Sequence, residues 1–129
     1  MNLLFYRVNP KYINGIIELG YIPSHNKLGC ICLTRDINYL ARSRPFVIAF
    51  DRQVLQNNNK ITPFCLFGYY KNLGDTSRFI LNGKIGQESE ERIYTDSLSL
   101  KLSIFQGNFT GNMIEFKAIN LQNRYMVKS

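Results

Sequence analysis

Tryptophan is absent, histidine occurs once (His25) and cysteine three times (Cys30, Cys32 and Cys65) in a chain of 129 residues. With a single histidine, neither a His-based catalytic triad nor a Cys/His zinc site finds enough parts, so many hydrolase mechanisms fall away and no metal is expected. The odd cysteine count argues against a disulfide framework. The C-I-C spacing of Cys30 and Cys32 puts two sulfurs on one face of a strand rather than in a C-x-x-C loop, and they read as buried thiols that stay reduced. Long apolar runs are missing too: none approaches the ~20 residues that cross a bilayer, and "MNLLFYRVNP" has neither the basic start nor the longer apolar core of a secretory signal. A soluble, cytoplasmic protein without a membrane partner is expected. Acidic residues are few, nine Asp and Glu against 16 Lys and Arg, for a formal net charge of +7. The excess is spread along the chain, with no block of about five or six like charges. It permits contact with nucleic-acid phosphates, and a solvated basic surface explains it as well.

What is present is the material of a core. Hydrophobic residues make up 45% of the chain, with eight Tyr and nine Phe, which excludes a disordered polyelectrolyte. Residues 1–129 fit one domain, large enough to hide roughly two-thirds of its surface.

Along the chain, "LLFYRV" (Leu3 to Val8) is rich in strand formers. Asn9-Pro10 then supplies an N-cap and a proline at the first helical position. Ile13, Ile16 and Ile17 lie at helical spacing and Gly20 is a natural stop, so "PKYINGIIELG" reads as a crossover helix after the first strand, and "YIPSHNKLG" as loop. "CICLT" (Cys30 to Thr34) is a second strand, with Asp36 placed to cap a helical turn near Ile37. "PFVIAFD" (Pro45 to Asp51) is apolar enough to be covered on both faces. A brief helical turn around Gln53 to Gln56 meets the polar "NNNK" break, "TPFCLFGYY" resumes strand character, and "KNLGDTSRF" with "NGKIG" reads as connection. The last third is mainly strand: "ERIYTD", "LSLKLSIF" with Leu98, Leu100 and Leu102 alternating, and "MIEFKAI" with Ile114, Phe116 and Ala118 alternating. The class is α+β.

These motifs, taken together, resemble the ADP-ribosyltransferase superfamily: "FYR" on a first strand, a helix closed by glycine, "LTRD" at a strand end, "FDRQVL" closing an apolar strand, and clustered glutamates opening a late one. More narrowly, "LTRD … FDRQVL … NNNKITPF … ESEERIYTD" looks like a set of small phage-type proteins, and its tail is similar to the DarT-type nucleic-acid ADP-ribosyltransferases. The likeness runs from Leu3 to about Ile104 and rests on short motifs. It implies a mixed or antiparallel β-sheet split around a cleft, with a few short helices. NAD would be the substrate, with no metal, and ADP-ribose would pass to a nucleic-acid or protein acceptor. A phage or mobile-element effector would do this in the host cytoplasm. The same residues also suit a non-catalytic interaction protein on a degenerate form of the fold.

The resemblance places a catalytic glutamate at the start of a late strand, two residues after another Glu or Gln. In this basic chain Glu88, Glu90 and Glu91 are three of only nine acidic residues. Period-two geometry puts Glu88, Glu90 and Arg92 on one face and Glu91 on the other. The match makes Glu90 the catalytic residue and Glu88 the first of the E-x-E pair; a shift of one residue would promote Glu91. A fixed carboxylate suits the chemistry, because breaking the glycosidic bond of NAD leaves positive charge on the ribose. Glu88 would orient or deprotonate the acceptor, with mutual repulsion raising one of the two pKa values. Stripped of the other motifs, "ESEER" is a solvated turn offset by Arg92.

The resemblance further implies that Tyr6 and Arg7 meet the dinucleotide, Arg7 through a phosphate or the adenosine ribose. Thr34 would sit near the nicotinamide ribose and Tyr39 would stack on the ring. Core packing accounts equally for Tyr6 and Tyr39. Arg42 and Arg44 would reach pyrophosphate or nucleic acid, or simply face solvent. The histidine common in the first DarT-type motif has no counterpart here.

Overall fold

The computed structural model describes residues 3–24, 29–63 and 89–109. In chain order these form β1 (Leu3–Val8), α1 (Pro10–Leu19), β2 (Tyr21–Pro23), β3 (Cys30–Thr34), β4 (Phe46–Asp51), α2 (Arg52–Asn58), β5 (Lys60–Pro63), β6 (Glu90–Tyr94), β7 (Ser97–Ser99), a 3-10 turn at Leu100–Leu102, and β8 (Ser103–Asn108). Six strands make one sheet in the order β5-β6-β3-β1-β4-β8, and β2 pairs with β7 apart from it. The α+β class is as expected. Every pairing among the described residues is antiparallel.

The core lies on both faces of the larger sheet. Leu4, Val8, Ile31, Leu33, Ile48, Phe50 and Ile93 share one cluster with Ile16 of α1 and Leu55 of α2. Phe5, Val47, Ala49 and Phe105 share the other with Ile37 and Phe109. Each buried Leu, Ile or Phe contributes about 1.5–3 kcal/mol. Successive strand residues point to opposite faces, so β4, covered on both, has to be apolar throughout, as its sequence is.

Helix α1 begins and ends where its sequence indicates. The Asn9 side chain accepts the Lys11 N–H at 2.9 Å and Pro10 opens the helix. Gly20 closes it at φ 78°, donating its N–H to Ile16 and Ile17. A side chain at that φ would cost about 1–2 kcal/mol. The helix is not a crossover, however. A crossover joins parallel neighbours, whereas both neighbours of β1 run antiparallel to it, and α1 delivers the chain to β2. The expected loop after Gly20 thus begins with a three-residue strand, held where Ile22 is buried opposite Leu98.

The expected continuous strand "LSLKLSIF" is broken. Ser99 accepts the Lys101 N–H, and the Ser103 hydroxyl donates to the Leu100 carbonyl at 2.6 Å, so local serine bonds draw Leu100–Leu102 into a 3-10 turn. Leu98, Leu100 and Leu102 still reach the same core cluster. After β3, the Asp36 carboxylate accepts the Asn38 N–H at 3.0 Å, but residues 37–43 form linked turns rather than helix, with Leu40 at φ 62°. Helix α2 starts one residue before Gln53, capped by Asp51, and β5 begins at Lys60 inside the polar break. The expected strand "MIEFKAI", the remainder of "TPFCLFGYY" and the connection to Glu88 lie outside the described residues. No helix among the described residues is long and apolar enough to cross a membrane.

Candidate active site

Strand β1 is bonded unequally to its two neighbours. With β4 it is registered along its whole length, from Leu3↔Asp51 to Val8↔Phe46; with β3 the ladder is the single pair Phe5↔Thr34. Where that ladder stops, residues 6–9 and residues 30–32 line a cavity of about 490 Å³ together with Tyr12 of α1 and Arg44. A smaller cavity of about 60 Å³ shares Tyr6, Arg7, Cys32 and Arg44 with it and adds Phe5, Leu33, Thr34, Tyr39, Leu40 and Glu90. Tyr6, Arg7, Thr34, Tyr39 and Glu90, singled out from sequence, thus meet at one place. Glu88 lies outside the described residues, as do His25 and Cys65.

The register of β6 on β3 separates the two described glutamates. Glu90 lies opposite Thr34 and Arg92 opposite Cys32, while Glu91 lies opposite Leu33 on the other face. Glu91 is fully buried. Arg52 Nε donates to its two carboxylate oxygens at 2.9 and 3.0 Å and Nη2 to Oε1 at 2.8 Å, with Arg35 Nε 3.6 Å from Oε2. Burying a carboxylate is costly unless it is paired and hydrogen-bonded, and Arg52 supplies both. Glu90 is half-buried and lines the smaller cavity.

The start of β6 is tied to the end of β3. The Thr34 and Ser89 hydroxyls are 2.5 Å apart, and Thr34 Oγ1 also accepts the Asp36 N–H at 3.0 Å. The Ser89 carbonyl accepts from Arg35 twice, from its main-chain N–H at 3.0 Å and from Nε at 3.3 Å. The Thr34 hydroxyl is therefore engaged within the protein, beside the cavity its residue lines.

Arg7 is buried, and its donors meet carbonyls rather than open space. Its Nε and Nη2 donate to Ile37, and Nη1 donates to Pro45 and Phe109, each at 3.0 Å, and more weakly to Arg44 at 3.4 Å. Burial pulls its pKa down, and the Asp36 charge opposes that. The effect is to brace both ends of the turns that carry Tyr39, Leu40 and Arg44 along the cavity wall. Tyr39 is pushed up in pKa by burial, then by a hydrogen bond to Glu90 and its charge, with Arg44 opposing. Burial likewise raises Tyr6, and Arg44 opposes.

Cys30 is buried as expected, but Cys32 is exposed, because it lies past the single β1–β3 pair on the cavity wall; neither is in a disulfide. Arg42 is exposed, and Arg44, also exposed, borders both cavities. The sequence reading gave no role to Arg35, Arg52 or Ser89. The available signal was parity: a glutamate falling on the core-facing side of a strand requires a buried counter-ion, and "LTRD" and "FDRQ" each hold an arginine. Among the described residues, no three Cys, His, Asp or Glu side chains gather as a metal set. No family model, curated protein or solved structure matches the chain.

Proposed function

We propose that the protein transfers ADP-ribose from NAD to a macromolecular acceptor, nucleic acid or protein, on an ADP-ribosyltransferase-like fold. The observation that carries this reading is the convergence of Tyr6, Arg7, Thr34, Tyr39 and Glu90, from three separate stretches of chain, on one small cavity adjoining a larger one. At about 490 Å³ the larger cavity falls within the range of small-molecule sites. A β1–β3 ladder reduced to one pair is also what a sheet split around a cleft requires.

In this reading the dinucleotide lies along the larger cavity, where Arg44 supplies positive charge and Tyr6 and Tyr12 supply aromatic surface. Glu90 holds the nicotinamide ribose. The bond from the ribose to nicotinamide breaks with its electron pair leaving on nicotinamide, and Glu90 stabilises the positive charge left behind. An acceptor oxygen or nitrogen then bonds the same ribose carbon and gives up its proton, to Glu88 or to water. Tyr39 acts beside Glu90 on the wall of the smaller cavity. Arg7 contributes by bracing the wall.

The test is incubation with labelled NAD and, separately, nucleic acid, an arginine-rich protein or water as acceptor. Nicotinamide release with transfer of label is expected. No release with any acceptor, together with no melting shift at millimolar NAD, would overturn the reading. The engagement of the Arg7 guanidinium and the Thr34 hydroxyl by protein groups favours a second reading, a non-catalytic interaction protein on the same fold. A melting shift without nicotinamide release would select it.

A further inference from the structure

Arg35 stands where it grips the chain on both sides of Glu90. Its main-chain N–H and its Nε both donate to the carbonyl of Ser89, at 3.0 and 3.3 Å, and the same Nε lies 3.6 Å from Oε2 of Glu91. Charge neutralisation does not explain this. Arg52 already meets the Glu91 carboxylate at 2.8–3.0 Å, much closer than Arg35 does. What Arg35 adds is a join between the residue before Glu90 and the residue after it. The direction of a strand side chain follows from the peptides on either side, so holding both leaves Glu90 only its own rotamers. The neighbouring Thr34 adds a second tie through the Ser89 hydroxyl.

We propose that Arg35 is a positioning residue that aims Glu90 into the smaller cavity, an inference that rests on the reading of Glu90 as the catalytic group. Arg35 has no contact with substrate in this scheme. Its replacement by Met removes the side-chain contacts and keeps the main-chain bond, and Glu91 stays paired with Arg52, so the fold should persist with a melting temperature close to that of the wild type.

Two measurements on the full chain test the proposal. The first needs no activity: with ring-labelled tyrosine, the Tyr39 signal is assigned by its loss in Tyr39→Phe and titrated by NMR. Glu90→Gln removes the negative charge and leaves a weaker acceptor in place of the carboxylate, and should move the Tyr39 titration to lower pH. Arg35→Met should move it the same way, and Arg35→Lys less. The second is NAD turnover, where Arg35→Met should lower kcat by about 10- to 100-fold, the scale of misplacing a reacting group by an ångström, with KM little changed. Partial recovery is expected in Arg35→Lys. An Arg35→Met protein with unaltered Tyr39 titration and unaltered kcat would overturn the proposal. Wild-type protein that releases no nicotinamide would remove the catalytic reading, and the titration would still decide whether Arg35 positions Glu90. Should Arg35→Met fail to fold, Arg35→Lys carries both measurements.

Discussion

Adjacent residues of β6 carry the same side chain into opposite surroundings. On the face toward Leu33 and Ile93, Glu91 is fully buried against Arg52, with Arg35 behind it. On the face toward Thr34, Glu90 keeps part of its surface and lines a cavity with Tyr39, whose pKa it helps to raise. Composition does not distinguish these two glutamates, so the difference comes from strand parity and from what each face meets. A carboxylate held by two arginines in the core has no room for a ligand, whereas one beside a cavity does. The pair thus divides the strand, with Glu91 fixing its place in the core and Glu90 facing the cavity.

The largest effect should come from breaking the Glu91 side. Among the described residues, Arg52→Ala leaves a fully buried carboxylate with only the 3.6 Å contact to Arg35. A buried charge stripped of its main partner costs about 3–5 kcal/mol. Urea unfolding should show that loss in the midpoint with the slope preserved. A loss below about 1 kcal/mol, the scale of a surface ion pair, would mean that Glu91 is not held as described.

Next in size is the Glu90 side. Glu90→Gln keeps size and removes the charge, so on the proposed reading NAD hydrolysis and transfer should fall together by about 100-fold. Stability should change by no more than about 0.5 kcal/mol, and NAD affinity little, because the ground state carries less of the developing charge. Unchanged rates in Glu90→Gln beside lost activity in a stably folded Glu91→Gln would reverse the assignment of the two residues.

Much of this contrast was legible from sequence, and the rest was not, for physical reasons. Alternation along "ESEERIY" separates Glu90 from Glu91 because period-two geometry is local. The caps of α1 are local as well, which is why Asn9, Pro10 and Gly20 marked its ends. The identity of the ions facing Glu91 is not local: Arg35 and Arg52 arrive from the end of β3 and the start of α2, and only the sheet order brings them to β6. Arg7 misleads in the opposite way. Its place on β1 was readable, but its acceptors lie 30 or more positions away, at Ile37, Pro45 and Phe109. The broken strand at Leu100 shows a local rule overridden by another, since leucine alternation continues while Ser99 and Ser103 redirect the backbone.

The smallest effect concerns pH and sharpens the comparison on the Glu90 side. Tyr39 titrates above its ordinary value because of burial, then because of the hydrogen bond and charge of Glu90. A group whose pKa is raised on folding holds its proton more tightly in the folded state. Its share of stability is therefore complete below the unfolded value, near pH 10 for tyrosine, and is lost as pH rises through the folded value. Tyr6 contributes in the same direction through burial. Unfolding midpoints measured from neutral pH to above pH 10 should consequently decline less steeply at the alkaline end in Tyr39→Phe than in the wild type. Glu90→Gln should also flatten the decline, by less than Tyr39→Phe, since burial of the phenol remains. Gln at position 91 does not face Tyr39, so Glu91→Gln should shift the whole curve down without changing its alkaline slope. An equal flattening in Glu90→Gln and Glu91→Gln would mean that Tyr39 senses the net charge of β6 rather than a bond to one side chain, and the division between the two faces would lose its electrostatic support.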